Sequence, residues 1–174
     1  MAGIELPEDL RRILADSFVL RTTLTRKTGA PRTLETTYWW DGEREIVLSG
    51  FPGKRDWVAS LARNPRVTLH TVEFEPGYDI PGTATVLRER ERRLPYLLRF
   101  IERWSRRPGF PRRRFGLLLS AVKLNRHLRL PWWGPFVLAR RIFDAMPCVV
   151  VSFDAPPRRR AGPPPPASPS QSSQ

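Results

Sequence analysis

The 174-residue chain has one cysteine, two histidines and three lysines. A lone Cys148 excludes an intramolecular disulfide and any cysteine-rich metal centre. Its setting, Pro147 before it and Val149 to Val151 after it, predicts an inert thiol in a buried strand. His70 and His127 have no second ligand at metal-binding spacing, which argues against structural zinc. The start, Met1-Ala2-Gly3-Ile4-Glu5, carries no apolar signal core. The longest nearly apolar stretches, 115–122 and 131–139, fall far short of the roughly 20 residues that cross a bilayer. These absences predict a cytoplasmic protein without a spanning helix. No Ser/His/Asp set or paired carboxylates point to acid–base or nucleophilic catalysis by side chains.

Positive charge is plentiful and clustered. The net charge is +13. Residues 88–143 carry 16 basic and 3 acidic side chains, so this one segment holds an excess equal to the whole. A preference for arginine over lysine across the chain does not explain that clustering. Clustered charge of one sign points to an anionic partner.

Hydrophobic periodicity and turn residues divide the chain into elements. Leu6 to Ala15 reads as a helix, with Pro7 at its first turn and Glu8 and Asp9 near its positive end. Strands are predicted over 17–25, 33–40, 45–48, 66–72, 83–88 and 148–153, where β-branched and aromatic residues gather. Gly29 and the Asp41-Gly42 pair mark hairpin bends. Asp56 reads as the N-cap of a helix to Ala62, which Asn64-Pro65 stops. Helices are also predicted over 89–106, 115–128 and 136–143. Six strands with helices between them imply an α+β protein built on a small antiparallel barrel. Residues 1–16 form an N-terminal helix, 17–154 the barrel with a basic helical insertion at 89–143, and 155–174 a tail. That tail holds seven prolines and is predicted to be disordered.

Two stretches carry candidate chemistry. Arg26-Lys27-Thr28-Gly29-Ala30-Pro31-Arg32 sets cations around a tight turn. Lys27 offers a point charge, Arg32 a fork of parallel donors, and the backbone at Gly29 further N–H groups, a set that suits a phosphate. The second stretch runs from Ser49-Gly50 through Lys54 and Arg55 to Asp56-Trp57, a hydroxyl, a glycine loop and two cations leading into a helix. A helix start flanked by cations is a natural anion site. Trp57 fits either a cofactor ring or the core.

The ordered series Lys27-Thr28-Gly29-x-x-Arg32, Ser49-Gly50, Asp56-Trp57-x-x-x-Leu61-x-x-Asn64-Pro65-x-Val67 resembles the deazaflavin-dependent nitroreductase family. Arg141 with Pro147-Cys148-Val149-Val150 is similar to that family's last strand. The resemblance covers roughly residues 17–88 and 140–153, and the segment 89–143 is longer than it leads one to expect. It implies a six-stranded split β-barrel of the FMN-binding, pyridoxamine-phosphate-oxidase-like type, and in many such barrels a homodimer. It implies the deazaflavin coenzyme F-420, or FMN in its place, held by its phosphate on Lys27 and Arg32. Arg26, Thr28, Gly29, Ser49, Gly50, Lys54, Arg55 and Asp56 would complete the cradle, with Trp57 beside the ring. Tyr78 is a candidate for the substrate pocket without motif support. The implied reaction is hydride transfer to a small or quinone-like acceptor, in which the cofactor does the redox work. The alternative is a non-catalytic binding module or a basic scaffold at a membrane surface.

For the insertion, arginine clusters beside Trp132-Trp133 and Phe115 to Leu119 suit a helix lying on anionic lipid. The competing reading is a helical cap over the barrel with solvated arginines. Nucleic-acid binding lacks any recognisable signature here.

Overall fold

The computed structural model describes residues 4–50, 53, 55–107, 120–125, 127–128 and 135–168. Its elements are α1 (Glu8–Asp16), β1 (Val19–Thr25), β2 (Pro31–Trp40), β3 (Glu45–Ser49), α2 (Asp56–Arg63), β4 (Arg66–Thr71), β5 (Tyr78–Val86), α3 (Arg90–Trp104), α4 (Pro135–Ala145), β6 (Val149–Phe153) and β7 (Arg158–Arg159). Residues 120–125 are also helical. The strands pair in the order β4-β1-β2-β3-β6-β5-β7, and β4 also pairs with β5. Six antiparallel strands therefore close into a barrel, with β7 added outside β5. Closure leaves no free edge on the ring where the ladders run.

Side-chain alternation builds two cores. Leu20, Leu24, Tyr38, Ile46, Leu48, Leu69, Ile80, Val149 and Val151 fill the barrel, together with Leu10, Ile13 and Leu14 of α1. Val47 and Val150 point out of the same strands into a second core, made with Leu94, Leu97, Leu98 and Ile101 of α3, Val122, and Phe143 and Met146. Strands β3 and β6 are thus buried on both faces, which is why each reads as an almost unbroken apolar run. Each large side chain buried this way stabilises the fold by about 1.5–3 kcal/mol.

Two arginines of the insertion fasten it. Arg93 donates to the carbonyls of Phe143 at 2.9 Å and Asp144 at 3.1 Å, and to that of Met146, capping the C-terminus of α4. Arg103 donates to Leu14 O at 2.9 Å and to Ser17 O at the end of α1, and lies 5.2 Å from the Tyr38 ring centre.

Three features differ from expectation. Strand β5 begins at Tyr78, five residues before the predicted start, because Pro81 and Gly82 lie inside it. Pro81 pairs with Thr68 of β4 and stands just beyond the β6 ladder, whose last pair is Gly82↔Phe153, so its missing N–H interrupts nothing there. At Gly82 a Cβ would come within 2.8 Å of Ser152 O, so this close approach requires glycine. The helix from Asp56 is capped by Arg55 in extended conformation, and Asp56 is its first residue rather than its N-cap. The tail, read as disordered, lies ordered against the barrel to residue 168. Arg160 donates to Tyr78 O at 3.2 Å, Thr71 O at 2.9 Å and Asp79 Oδ1 at 2.6 Å, and Ser168 exchanges hydrogen bonds with the backbone of Thr33. Composition underestimated this segment because its partners are remote in sequence. The predicted helix over 115–128 is described only from residue 120, and the turn at 131–134 lies outside the described residues.

Candidate functional site: the barrel mouth

The bend between β1 and β2 closes with Arg26 N–H donating to Ala30 O at 2.8 Å and Gly29 N–H to Arg26 O at 3.0 Å. Gly29 has a φ of +85°, in the left-handed region where a side chain is disfavoured. Lys27, Thr28 and Gly29 stand exposed at the tip. Arg32 pairs with Leu24 in register and shares the inward face of β2 with Leu34, Thr36 and Tyr38. It therefore lies at the mouth of the barrel, its side chain only 14% exposed.

Helix α2 covers that mouth. Leu61 is buried, and Trp57 and Val58 pack on the barrel core. Asp56, at the helix start, accepts a hydrogen bond from Arg32 Nη1, and its other oxygen accepts the N–H of Trp57 at 2.9 Å. The Arg32 guanidinium holds the Asp56 carboxyl below the usual carboxylate range. The two predicted stretches thus meet through Arg32 and Asp56. The Nε–H groups of Arg26 and Arg32 are buried without an acceptor among the described residues, as are those of Arg21, Arg93 and Arg103 elsewhere in the fold. Donors hidden in this way call for an acceptor.

Other predicted residues fall elsewhere. Ser49 is buried and its hydroxyl donates to Pro147 O at 2.6 Å, so it braces β3 against the entry to β6. Gly50 closes the end of β3, and Lys54 lies outside the described residues. Trp57 is half-buried and packs against the barrel core. Tyr78 is buried, and its hydroxyl donates to Asp9 at 2.9 Å, which ties β5 to α1.

Arg55, the residue before α2, lines a groove of about 370 Å³. Gly53, Val58, Arg88, Arg93 and Met146 form its other walls. That volume lies within the range of about 300–1,000 Å³ typical of small-molecule sites. Gly53 N–H donates to Ala145 O at 2.8 Å, so the loop after β3 is tied to the end of α4. Residues 55 and 56 are adjacent, so groove and barrel mouth share one helix start. Arg88 and Arg93 were not foreseen as part of a site. In sequence they belong to a charged run, and the fold brings them with Arg55 into the lining of one groove.

Sequence reading also missed a polar cluster on the outside of the barrel. His70 Nδ1 lies 2.7 Å from Asp79 Oδ1, and Nε2 lies 2.8 Å from Thr23 Oγ1. Thr23 and Thr33 hydroxyls are 2.8 Å apart, and Arg160 covers Asp79. Burial raises the Asp79 carboxyl, but hydrogen bonds from His70 and Arg160 outweigh it and hold the group below its ordinary value. Among the described residues, no group of three or more histidine, cysteine or acidic side chains is arranged to hold a metal ion.

Comparisons with known proteins agree with this architecture. A family model described as pyridoxamine 5'-phosphate oxidase matches residues 6–120. An F420 reductase of known structure shares 16% identity and a TM-score of 0.54 over 89% of this chain and 100% of its own. A conserved hypothetical protein from Mycobacterium tuberculosis shares 17% identity and a TM-score of 0.56 over 91% of this chain and 86% of its own. The heme storage protein HutZ from Vibrio cholerae shares 12% identity and a TM-score of 0.55 over 89% and 94%. At these identities the likeness is one of fold. A search of curated proteins finds no match.

Proposed function

Because this chain belongs to the pyridoxamine 5'-phosphate oxidase family, we propose that it is an oxidoreductase that holds a flavin or deazaflavin by its phosphate at the barrel mouth. The observation that carries this reading is that Arg32, at the β1–β2 bend that also bears Arg26 and Lys27, meets the start of α2 through Asp56 with its Nε–H buried and without an acceptor. An anionic oxygen is the natural acceptor for such donors, and the helix start adds favourable charge. Arg26, Lys27 and Arg32 would hold the phosphate, and Arg55 would stand between phosphate and groove. When bound, the reduced ring supplies the hydride. The apolar wall of Val58 and Met146 would shield the ring from water, and Arg88 would orient an electron-rich acceptor. The F420 reductase among the similar structures supports the deazaflavin F-420 as cofactor, and the family supports FMN. The acceptor in this reading is a small or lipophilic molecule such as a quinone.

A second reading is a non-catalytic module that binds the cofactor at the same barrel mouth without turnover. One titration separates these readings. FMN and F-420 are each titrated into the purified protein and followed by fluorescence, with the Arg32→Ala variant alongside. Arg32→Ala is expected to weaken binding about 10- to 100-fold, as loss of a charge-assisted bond predicts. Binding without turnover of any acceptor would favour the module. Binding of neither cofactor below about the millimolar range would remove both readings.

A further inference from the structure

We propose that the insertion carries a face that lies on an anionic lipid bilayer. This proposal does not depend on the cofactor. Five large apolar side chains are exposed among the described residues, and four of them, Leu124, Leu128, Val137 and Ile142, belong to the insertion. Leu124 and Leu128 are 58% and 54% exposed. They are four residues apart, so they share one face of the helical stretch, while Val122 and Asn125 take the buried face. Val137 and Arg141 likewise share a face of α4, turned away from the buried Phe143 and Met146.

Among the described residues, the second core forms without these side chains. It uses Leu94, Leu97, Leu98 and Ile101 of α3 with Val122, Phe143 and Met146. Among the described residues, packing in this core gives no reason for leucine at 124 and 128. Charge identifies the occupant. Residues 88–143 carry 16 basic side chains against 3 acidic ones. Among the described residues, Arg92 pairs with Glu89, Arg99 and Lys123 share Glu102, and Arg90 and Arg140 share Asp144, so three carboxylates serve five cations and a positive excess remains. A second copy of the chain would bring the same positive excess and repel. A nucleic-acid backbone would satisfy the arginines and leave the leucines in water. Headgroups over acyl chains satisfy both, at about 1 kcal/mol per basic residue near the surface plus the apolar burial. No helix among the described residues is long and apolar enough to cross a membrane, so the contact is one of lying on the surface.

The test is co-sedimentation of the full chain with vesicles of phosphatidylcholine alone and of equal parts phosphatidylcholine and phosphatidylglycerol. We expect pelleting with the anionic vesicles only, falling as salt rises. The double variant Leu124→Ser/Leu128→Ser should bind them about tenfold or more weakly with an unchanged Tm, because both positions are exposed. Equal pelleting on both vesicle types, or on neither, would overturn the proposal. So would a serine variant that binds like the original chain. A DNA duplex that binds more tightly than the anionic vesicles would reassign the face and overturn it equally.

Discussion

Arg32 and Asp56 face each other across the barrel mouth, and the carboxylate lies where an incoming anion would compete for the same guanidinium. Asp56 is 69% exposed, so water screens the pair and little stability rests on it. Removing the charge while keeping the shape should therefore help anion binding more than it harms folding. Asp56→Asn is expected to tighten FMN binding about fivefold, the scale of one unfavourable charge near a surface. Isothermal titration against the original chain measures this, and weaker binding would show that Asp56 orients Arg32 instead. Cys148 poses a plainer case. Burial raises its thiol to about 11, so the thiolate is scarce at neutral pH. A disulfide-exchange reagent should label it slowly in the native protein and fully in denaturant. Rapid native labelling would contradict its burial.

The tail shows how an element acquires order from partners that its own composition does not reveal. Strand β7 pairs with β5 through Tyr78↔Arg159 and Asp79↔Arg158, and the chain then runs on until Ser168 meets Thr33 of β2. Arg160 locks this path, because its guanidinium fills the space beside Gly77 where a Cβ would stand 2.5 Å from Nη2. Arg160→Ala removes the lock, and Gly77→Ala should displace it while leaving the barrel intact. Each is expected to weaken docking of 158–168 by about 1–3 kcal/mol, read as faster tryptic cleavage at the tail arginines and lost amide protection. The double variant should be no worse than Arg160→Ala alone, since both act through one contact. Sequence reading missed this because proline-rich composition signals poor burial, while the order comes from barrel carbonyls about 80 residues earlier. The hairpins were legible for the opposite reason. Gly29 and Asp41-Gly42 set their bends locally, and Val19↔Thr37 through Thr25↔Pro31 follow from the first bend. Pro81 and Gly82 hid the first half of β5 because their tolerance depends on where the β6 ladder ends. In the candidate site, the Arg32 bend and the Asp56 helix start were visible as local patterns. The groove was not, because Arg55, Arg88 and Arg93 come from separate elements that only the folded chain sets around one space.

At the scale of the whole molecule, stability should describe a plateau bounded by two different sets of buried or paired groups. Asp56, Asp79, Glu102 and Asp144 are all held below the ordinary carboxylate range, though the exposed Asp56 adds little to stability. For Asp56, Glu102 and Asp144 the chief cause is a hydrogen bond from Arg32, Lys123 and Arg90 respectively. A carboxyl depressed on folding contributes stability above its unfolded value, near 4, and loses it as pH falls through the folded value. Protonating them also adds positive charge to a chain already at +13, so acid weakens ion pairs and raises self-repulsion together. On the alkaline side the sign reverses. Burial raises Tyr38 from 10.0 to about 12 and Cys148 from 9.0 to about 11. A raised group contributes fully below its unfolded value and loses that contribution as pH climbs to the folded one, here across the windows 10–12 and 9–11. Each such loss amounts to about 2–3 kcal/mol. Tm measured against pH should therefore be level from about pH 5 to 9 and fall on both sides. Cys148→Ala should move the start of the alkaline fall upward while leaving the acid limb in place, and Asp144→Asn should flatten the acid limb alone. A Tm that rises as pH drops below about 4 would mean that charge repulsion and paired carboxylates do not govern this fold.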